Sequence, residues 1–160
     1  TLAPTTKSTD TTQKLPLLFY VHGGAFVNES AFSLKYHNFV NTLVAEANVI
    51  GVSFEYSLFP TRPITACYKD SWVGLQWVAS HCNGNGPEPW LNDHADFQRV
   101  FVAGDSAGAN ISHTLLVRVG LIGLPGVKVV GAVLVHPYFG GKHTELDKMW
   151  LYMNIHVSNK

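Results

Sequence analysis

The chain has 160 residues, with 11 basic and 11 acidic side chains, so its formal charge is zero when the 8 histidines are neutral. That balance argues against nucleic acid or an anionic membrane as a partner. An apolar share of 46% against 14% charged exceeds what disordered chains carry and is enough for one sizeable core.

Residues 1–14 are Thr-rich, with Pro4, Lys7, Asp10 and Lys14 interspersed and no apolar period, and are expected to form a connection or frayed end. Thr1 opens the sequence with no basic segment and no apolar segment of the secretory kind, so a cytoplasmic location is expected, with the nucleus second. Leu15–His22 is a continuous apolar run of strand length, as in parallel sheets buried on both faces, and Gly23 and Gly24 follow it at once. Ser33 is placed to cap a helix whose apolar positions Tyr36, Val40, Leu43, Val44 and Ala47 share a face, ending near Asn48. A second strand, Val49–Phe54, leads through a Pro-bounded loop, Ser57–Pro63, to a helix over Ile64–His81. Asn83-Gly84-Asn85-Gly86-Pro87 closes it, and a polar stretch beyond Trp90 precedes a third strand, Arg99–Ala103. Gly104–Gly108 then turns into a helix running to about Val119 and stopping at Gly120, before a last strand, Lys128–Val135. Its uncharged run, Val129–Val135, is far short of the ~20 residues a membrane-spanning helix needs.

Strands alternating with helices predict βαβ units: an α/β fold with a mostly parallel sheet and helices on both faces. Cys67 and Cys82 fall near opposite ends of one predicted helix, about 22 Å apart at 1.5 Å per residue, so both are expected as free thiols. No CxxC, HExxH or spaced carboxylate cluster occurs, and neither metal nor cofactor is expected.

Gly104-Asp105-Ser106-Ala107-Gly108 fits G-x-S-x-G and lies between a predicted strand and a predicted helix, where the motif has mechanical meaning. A serine on such a turn adopts a strained backbone so that Oγ stands clear of the sheet, and side chains two residues away on either side would collide. The helix behind it aims its unpaired N–H groups at the site, which makes the Ala107 amide a ready donor to an oxyanion. The competing reading is a small-residue turn that merely lets helix and sheet approach closely. Asp105, beside the nucleophile, is expected to support the elbow by bonding nearby backbone. His22-Gly23-Gly24-Ala25-Phe26 exposes backbone amides in the manner of an oxyanion hole, with a plain glycine hairpin as the alternative. His22 is expected to hold this loop rather than to act as a base.

HGGAF, GDSAGAN and HPYFGG, with PEPWLNDHADF and YKDSWVGLQWVASH between them, together resemble the plant carboxylesterases of the hormone-sensitive-lipase-like branch of the α/β-hydrolase fold. The resemblance runs from Lys14 to Gly141. It implies a serine esterase acting on small-molecule esters, with Ser106 as nucleophile and Gly23, Gly24 and Ala107 as oxyanion donors. The branch also holds gibberellin receptors, which bind a hormone without turnover, and 2-hydroxyisoflavanone dehydratases, so both remain alternatives. Where the branch usually reads DYRLAP, this chain has Glu55-Tyr56-Ser57-Leu58-Phe59-Pro60, which implies a changed local hydrogen-bond set. The resemblance further implies a domain about twice this size, with two strands before Leu15, two after Val135, and the catalytic Asp and His beyond Lys160. Residues 15–160 are accordingly expected to be a partial domain, with 138–160 as a cap segment, inactive alone for want of a base.

Ser106, Asp147 and His156 satisfy the usual order of a triad, but only eight residues separate the last two, too few for delivery from successive strands. His113 lies about 10 Å down the helix from Ser106. His136 is expected to be structural, and His37, His81 and His94 to lie on helix surfaces or loops. Asp70 and Trp72 suggest helix packing, while Phe26, Tyr138 and Phe139 are candidates to line an apolar pocket.

Overall fold

The computed structural model describes residues 13–140. The expectations for most of the N-terminal connection, for the bulk of the cap segment, and for Asp147 and His156 lie outside the described residues. In chain order the elements are β1 (Leu15–Val21), α1 (Leu34–Ala47), β2 (Ile50–Phe54), α2 (Thr65–Ala79), α3 (Pro89–His94), β3 (Ala95–Asp105), α4 (Ala107–Ile122) and β4 (Val129–Val135). The four strands form one sheet in the order β2-β1-β3-β4, and every pairing is parallel.

The uninterrupted apolar run of β1 follows from its central place, since alternate side chains enter different cores. Leu17, Phe19 and Val21 pack with Trp72 and Leu75 of α2 and Ile111 and Leu115 of α4. Leu18 and Tyr20 meet Tyr36, Val40 and Val44 of α1 on the other face. The helices thus cover both faces, as βαβ connectivity predicts. Neither β2 nor β4 has a further strand on its outer edge among the described residues.

Four expectations need correction. The stretch after Trp90 is not an irregular polar segment: Pro89 opens α3, Leu91 is fully buried beneath it, and β3 starts at Ala95, where Ala95 and Phe97 are core residues. The helix after the elbow runs through Gly120, which meets no neighbour, and ends at Gly123, whose φ of 75° is the left-handed conformation that breaks the ladder. Ser33 occupies the N-cap of α1 with extended backbone, yet its side chain makes no capping bond. His81 is fully buried rather than on a surface. Its Nδ1 lies 2.9 Å from the Trp77 carbonyl and its Nε2 accepts from the Glu88 N–H at 3.0 Å, clasping the 83–88 turn to the end of α2.

Cys67 and Cys82 are both free thiols, the first buried in α2 and the second half-exposed beyond its end. Burial pushes the Cys67 pKa up to about 11. Alkylation by iodoacetamide at pH ~8 is therefore expected to modify Cys82 and spare Cys67 in the folded chain, and to reach both in denaturant, as mass spectrometry would show. Among the described residues no helix is long and apolar enough to cross a membrane.

Candidate active site

β1 and β3 lie side by side at the sheet centre, with Val21 opposite Gly104, so the turns that follow them are neighbours. Ser106 sits at φ 49°, ψ −114°, a conformation that L-residues rarely adopt. Its N–H donates to the Val135 carbonyl at 2.8 Å, and its own carbonyl accepts from the Tyr138 N–H at 3.1 Å. The flanking glycines are required by packing: a Cβ on Gly104 would lie 2.6 Å from the Val21 carbonyl oxygen, and one on Gly108 would strike the Val21 and His22 carbonyls. Among the described residues no side chain bonds the Ser106 hydroxyl. Ala107 opens α4, where first-turn amides have no acceptor within the helix.

The donor set of the glycine turn differs from the expected one. The Gly23 N–H is already engaged, donating to Asp105 Oδ1 at 2.9 Å and to the Tyr36 hydroxyl at 3.0 Å, so it is unavailable to a ligand. Gly24, Ala25 and Phe26 follow with φ of 112°, 54° and 65°. The Gly24 carbonyl turns back to accept from the N–H groups of Val27 and Asn28, while the Gly24 and Ala25 amides have no acceptor among the described residues. Among the described residues the amides of Gly24, Ala25 and Phe26 in the turn after β1, and of Ala107 in the turn after β3, have no acceptor. Ala25 escaped the sequence reading because nothing in an alanine announces a left-handed backbone.

The surroundings hold this turn. The Asp105 carboxylate also accepts from the Tyr20 hydroxyl at 3.0 Å and the Tyr36 hydroxyl at 2.7 Å, joining the elbow to the turn after β1. Burial, with Asp105 adding to it, pushes both phenol pKa values up, so both remain donors. His22 is fully buried and stacks on Tyr56 at 4.3 Å. Its Nδ1 lies 2.7 Å from the Gly23 carbonyl, so that nitrogen carries the proton, and its Nε2 lies 3.7 Å from Glu55 Oε2. Glu55 accepts from Ser30 Oγ at 2.8 Å and the Ala31 N–H at 2.6 Å, anchoring the exit of the loop.

The other candidates lie elsewhere. His113 is half-buried against the Phe139 ring at 5.1 Å, and His37, His94 and His136 are exposed. Asp70 accepts from the Ser57 N–H at 3.0 Å, and Trp72 lies under the Arg118 guanidinium at 4.3 Å. Phe26 is buried with its ring centroid 6.2 Å from Tyr68 and 6.4 Å from Tyr138, forming an aromatic flank beside the elbow. Asn110 ties this flank together, accepting from the Tyr68 hydroxyl at 2.8 Å and donating to the Tyr138 carbonyl at 2.7 Å.

Burial pushes the pKa values of both His22 and His113 below the ordinary 6.5. Below that pH the unfolded chain binds protons that the folded chain resists, so stability is full above ~6.5 and declines as pH falls. The melting temperature is expected to be lower at about pH 5 than at about pH 7.5, with His113→Gln removing part of the difference. A melting temperature unchanged across that range would contradict this.

A model of the alpha/beta hydrolase fold matches residues 18–155. The chain belongs to this family. Among the relatives of this chain, 2-hydroxyisoflavanone dehydratase of Glycine max is 50% identical over 139 residues, covering 84% of this chain and 44% of that protein. Probable carboxylesterase 1 of Arabidopsis thaliana is 50% identical over 132 residues, covering 81% of this chain and 42% of that one. Among solved structures, the hyperthermophilic esterase of the archaeon Pyrobaculum calidifontis superposes with a TM-score of 0.64 at 30% identity, over 78% of this chain and 37% of that one. The chain thus spans less than half the length of the curated relatives it matches.

Proposed function

We propose that this chain carries the nucleophile and oxyanion hole of a serine carboxylesterase acting on small-molecule esters. The observation that carries the reading is the strained Ser106 at the head of α4, in a turn neighbouring the one after β1, with the amides of Gly24, Ala25 and Ala107 among those left without an acceptor among the described residues. Ser106 Oγ attacks the ester carbonyl carbon, and its proton passes to a general base that none of the described residues supplies. The former carbonyl oxygen takes the negative charge and accepts from the three amides. The carbonyl re-forms as the alcohol leaves with a proton, and water then releases the acid from the acylated serine. Asp105 and His22 support the loops without touching the ester.

Treating the full gene product with a fluorophosphonate and locating the adduct by mass spectrometry tests this. The adduct is expected on Ser106, and a labelled protein with Ser106 unmodified overturns the assignment. Gly24→Pro removes one amide hydrogen and demands φ near −65° where the chain holds 112°, so turnover is expected to fall about 10²-fold or more. Undiminished turnover in a folded variant would exclude Gly24 from the hole.

The 50% identity to a 2-hydroxyisoflavanone dehydratase supports a second reading, in which the same amides stabilise charge during loss of water. Product analysis with a hydroxyisoflavanone beside a simple ester separates the two.

A further inference from the structure

We propose that Tyr56 is a positioning residue for the oxyanion hole, aiming the Gly24 amide by holding the carbonyl of the peptide bond that carries it. The inference rests on the esterase reading for its kinetic arm alone.

The Gly23–Gly24 peptide is a rigid plane in which the Gly23 carbonyl and the Gly24 N–H point in opposite directions. Whatever holds the carbonyl therefore sets the direction of the amide. Two groups hold it from one side: the His22 Nδ1–H at 2.7 Å and the Tyr56 hydroxyl at 3.2 Å. The same hydroxyl lies 3.0 Å from the His22 carbonyl, so its single proton is shared between the carbonyls of two consecutive peptides at the entrance to the turn. Drawing electron density toward the carbonyl also makes the opposite N–H a stronger donor, since hydrogen bonds along a peptide reinforce one another.

Tyr56 is equipped for this. It is 3% exposed, its ring stacks on His22 within 12° of parallel, and burial pushes its hydroxyl pKa up, so the group stays a protonated donor. The neighbouring peptide is fixed independently, because the Gly23 N–H is bound by Asp105 and Tyr36. The plane between Gly23 and Gly24 is then the one whose tilt Tyr56 and His22 control.

Tyr56→Phe keeps the ring and its stacking and removes only the hydroxyl. In the full gene product it is expected to lower kcat by about tenfold with KM unchanged, because a misaimed amide is felt mainly when charge develops. Affinity for a boronic acid, which becomes an anionic tetrahedral adduct on the serine, should fall in parallel. The amide proton resonance of Gly24 should move upfield and exchange faster. Replacing Tyr56 by 3-fluorotyrosine, whose hydroxyl donates more strongly, should move that resonance downfield, and this arm stands even where the phenylalanine variant fails to fold. If kcat and the Gly24 resonance both hold, or if KM and melting temperature change while the Gly24 resonance does not, Tyr56 is packing only and the proposal is overturned. If the parent hydrolyses no ester but the Gly24 resonance responds as described, the positioning stands and the esterase reading falls.

Discussion

Ser106→Ala is expected to lower ester turnover in the full gene product by about 10⁴-fold or more, since the binding surface and the hole then act without a nucleophile. The fold should survive. No side chain among the described residues bonds the Ser106 hydroxyl, and the bonds that hold the elbow, to the Val135 carbonyl and from the Tyr138 amide, are made by backbone. Alanine meets the same φ of 49° as serine does. Hydrolysis of p-nitrophenyl acetate and a thermal melt measure both halves of this expectation. A variant that retains a hundredth of parental turnover would move the nucleophile elsewhere.

Gly108→Ala is expected to destabilise the fold by about 3 kcal/mol, the range of an overpacked interior. The new methyl would strike the backbone carbonyls of Val21, the last residue of central β1, and of His22 just beyond it, which cannot turn aside as a side chain could. α4 would have to move off the sheet, thinning the contact of Ile111 and Leu115 with the β1 core residues. Gly120→Ala on the same helix makes the sharpest comparison. Nothing lies near that glycine, so the alanine should stabilise by roughly 0.5–1 kcal/mol through helix propensity. Urea unfolding of the two variants should thus move in opposite directions, and equal midpoints would contradict the steric argument.

The contrast between those two glycines marks how far the sequence could be read. Gly104 and Gly108 were legible because they flank a serine in a motif whose mechanics are local, between a strand and a helix. The apolar run of β1 was legible because a strand buried on both faces leaves no polar position. That the Gly23 amide is engaged is not legible, because its partner is Asp105, 82 residues away, which only the pairing of β1 with β3 brings near. Its second partner, Tyr36, was recognised as an inward position of α1, but periodicity does not say where a phenol ends. Gly120 suggests the end of α4 and Gly123 makes it, because a sequence shows a glycine alike whether it is exposed in a helix or turned left-handed past its end. The burial of His81 is not legible, because it depends on a turn folding back to offer the Glu88 amide.

The bonds that clamp the Ser106 backbone also fix when the elbow can exist. Its partners, Val135 and Tyr138, come from the end of β4 and just beyond, about thirty positions after the serine leaves a ribosome. β1, on the other side, waits for β3 across more than eighty residues, and such distant parallel pairings close slowly. A nascent chain halted before Val129 would already contain HGGAF and GDSAG but would lack both bonds that hold Ser106 in its unfavourable geometry. The serine would relax toward ordinary backbone angles, as inert as any other, until translation delivered the strand that bends it.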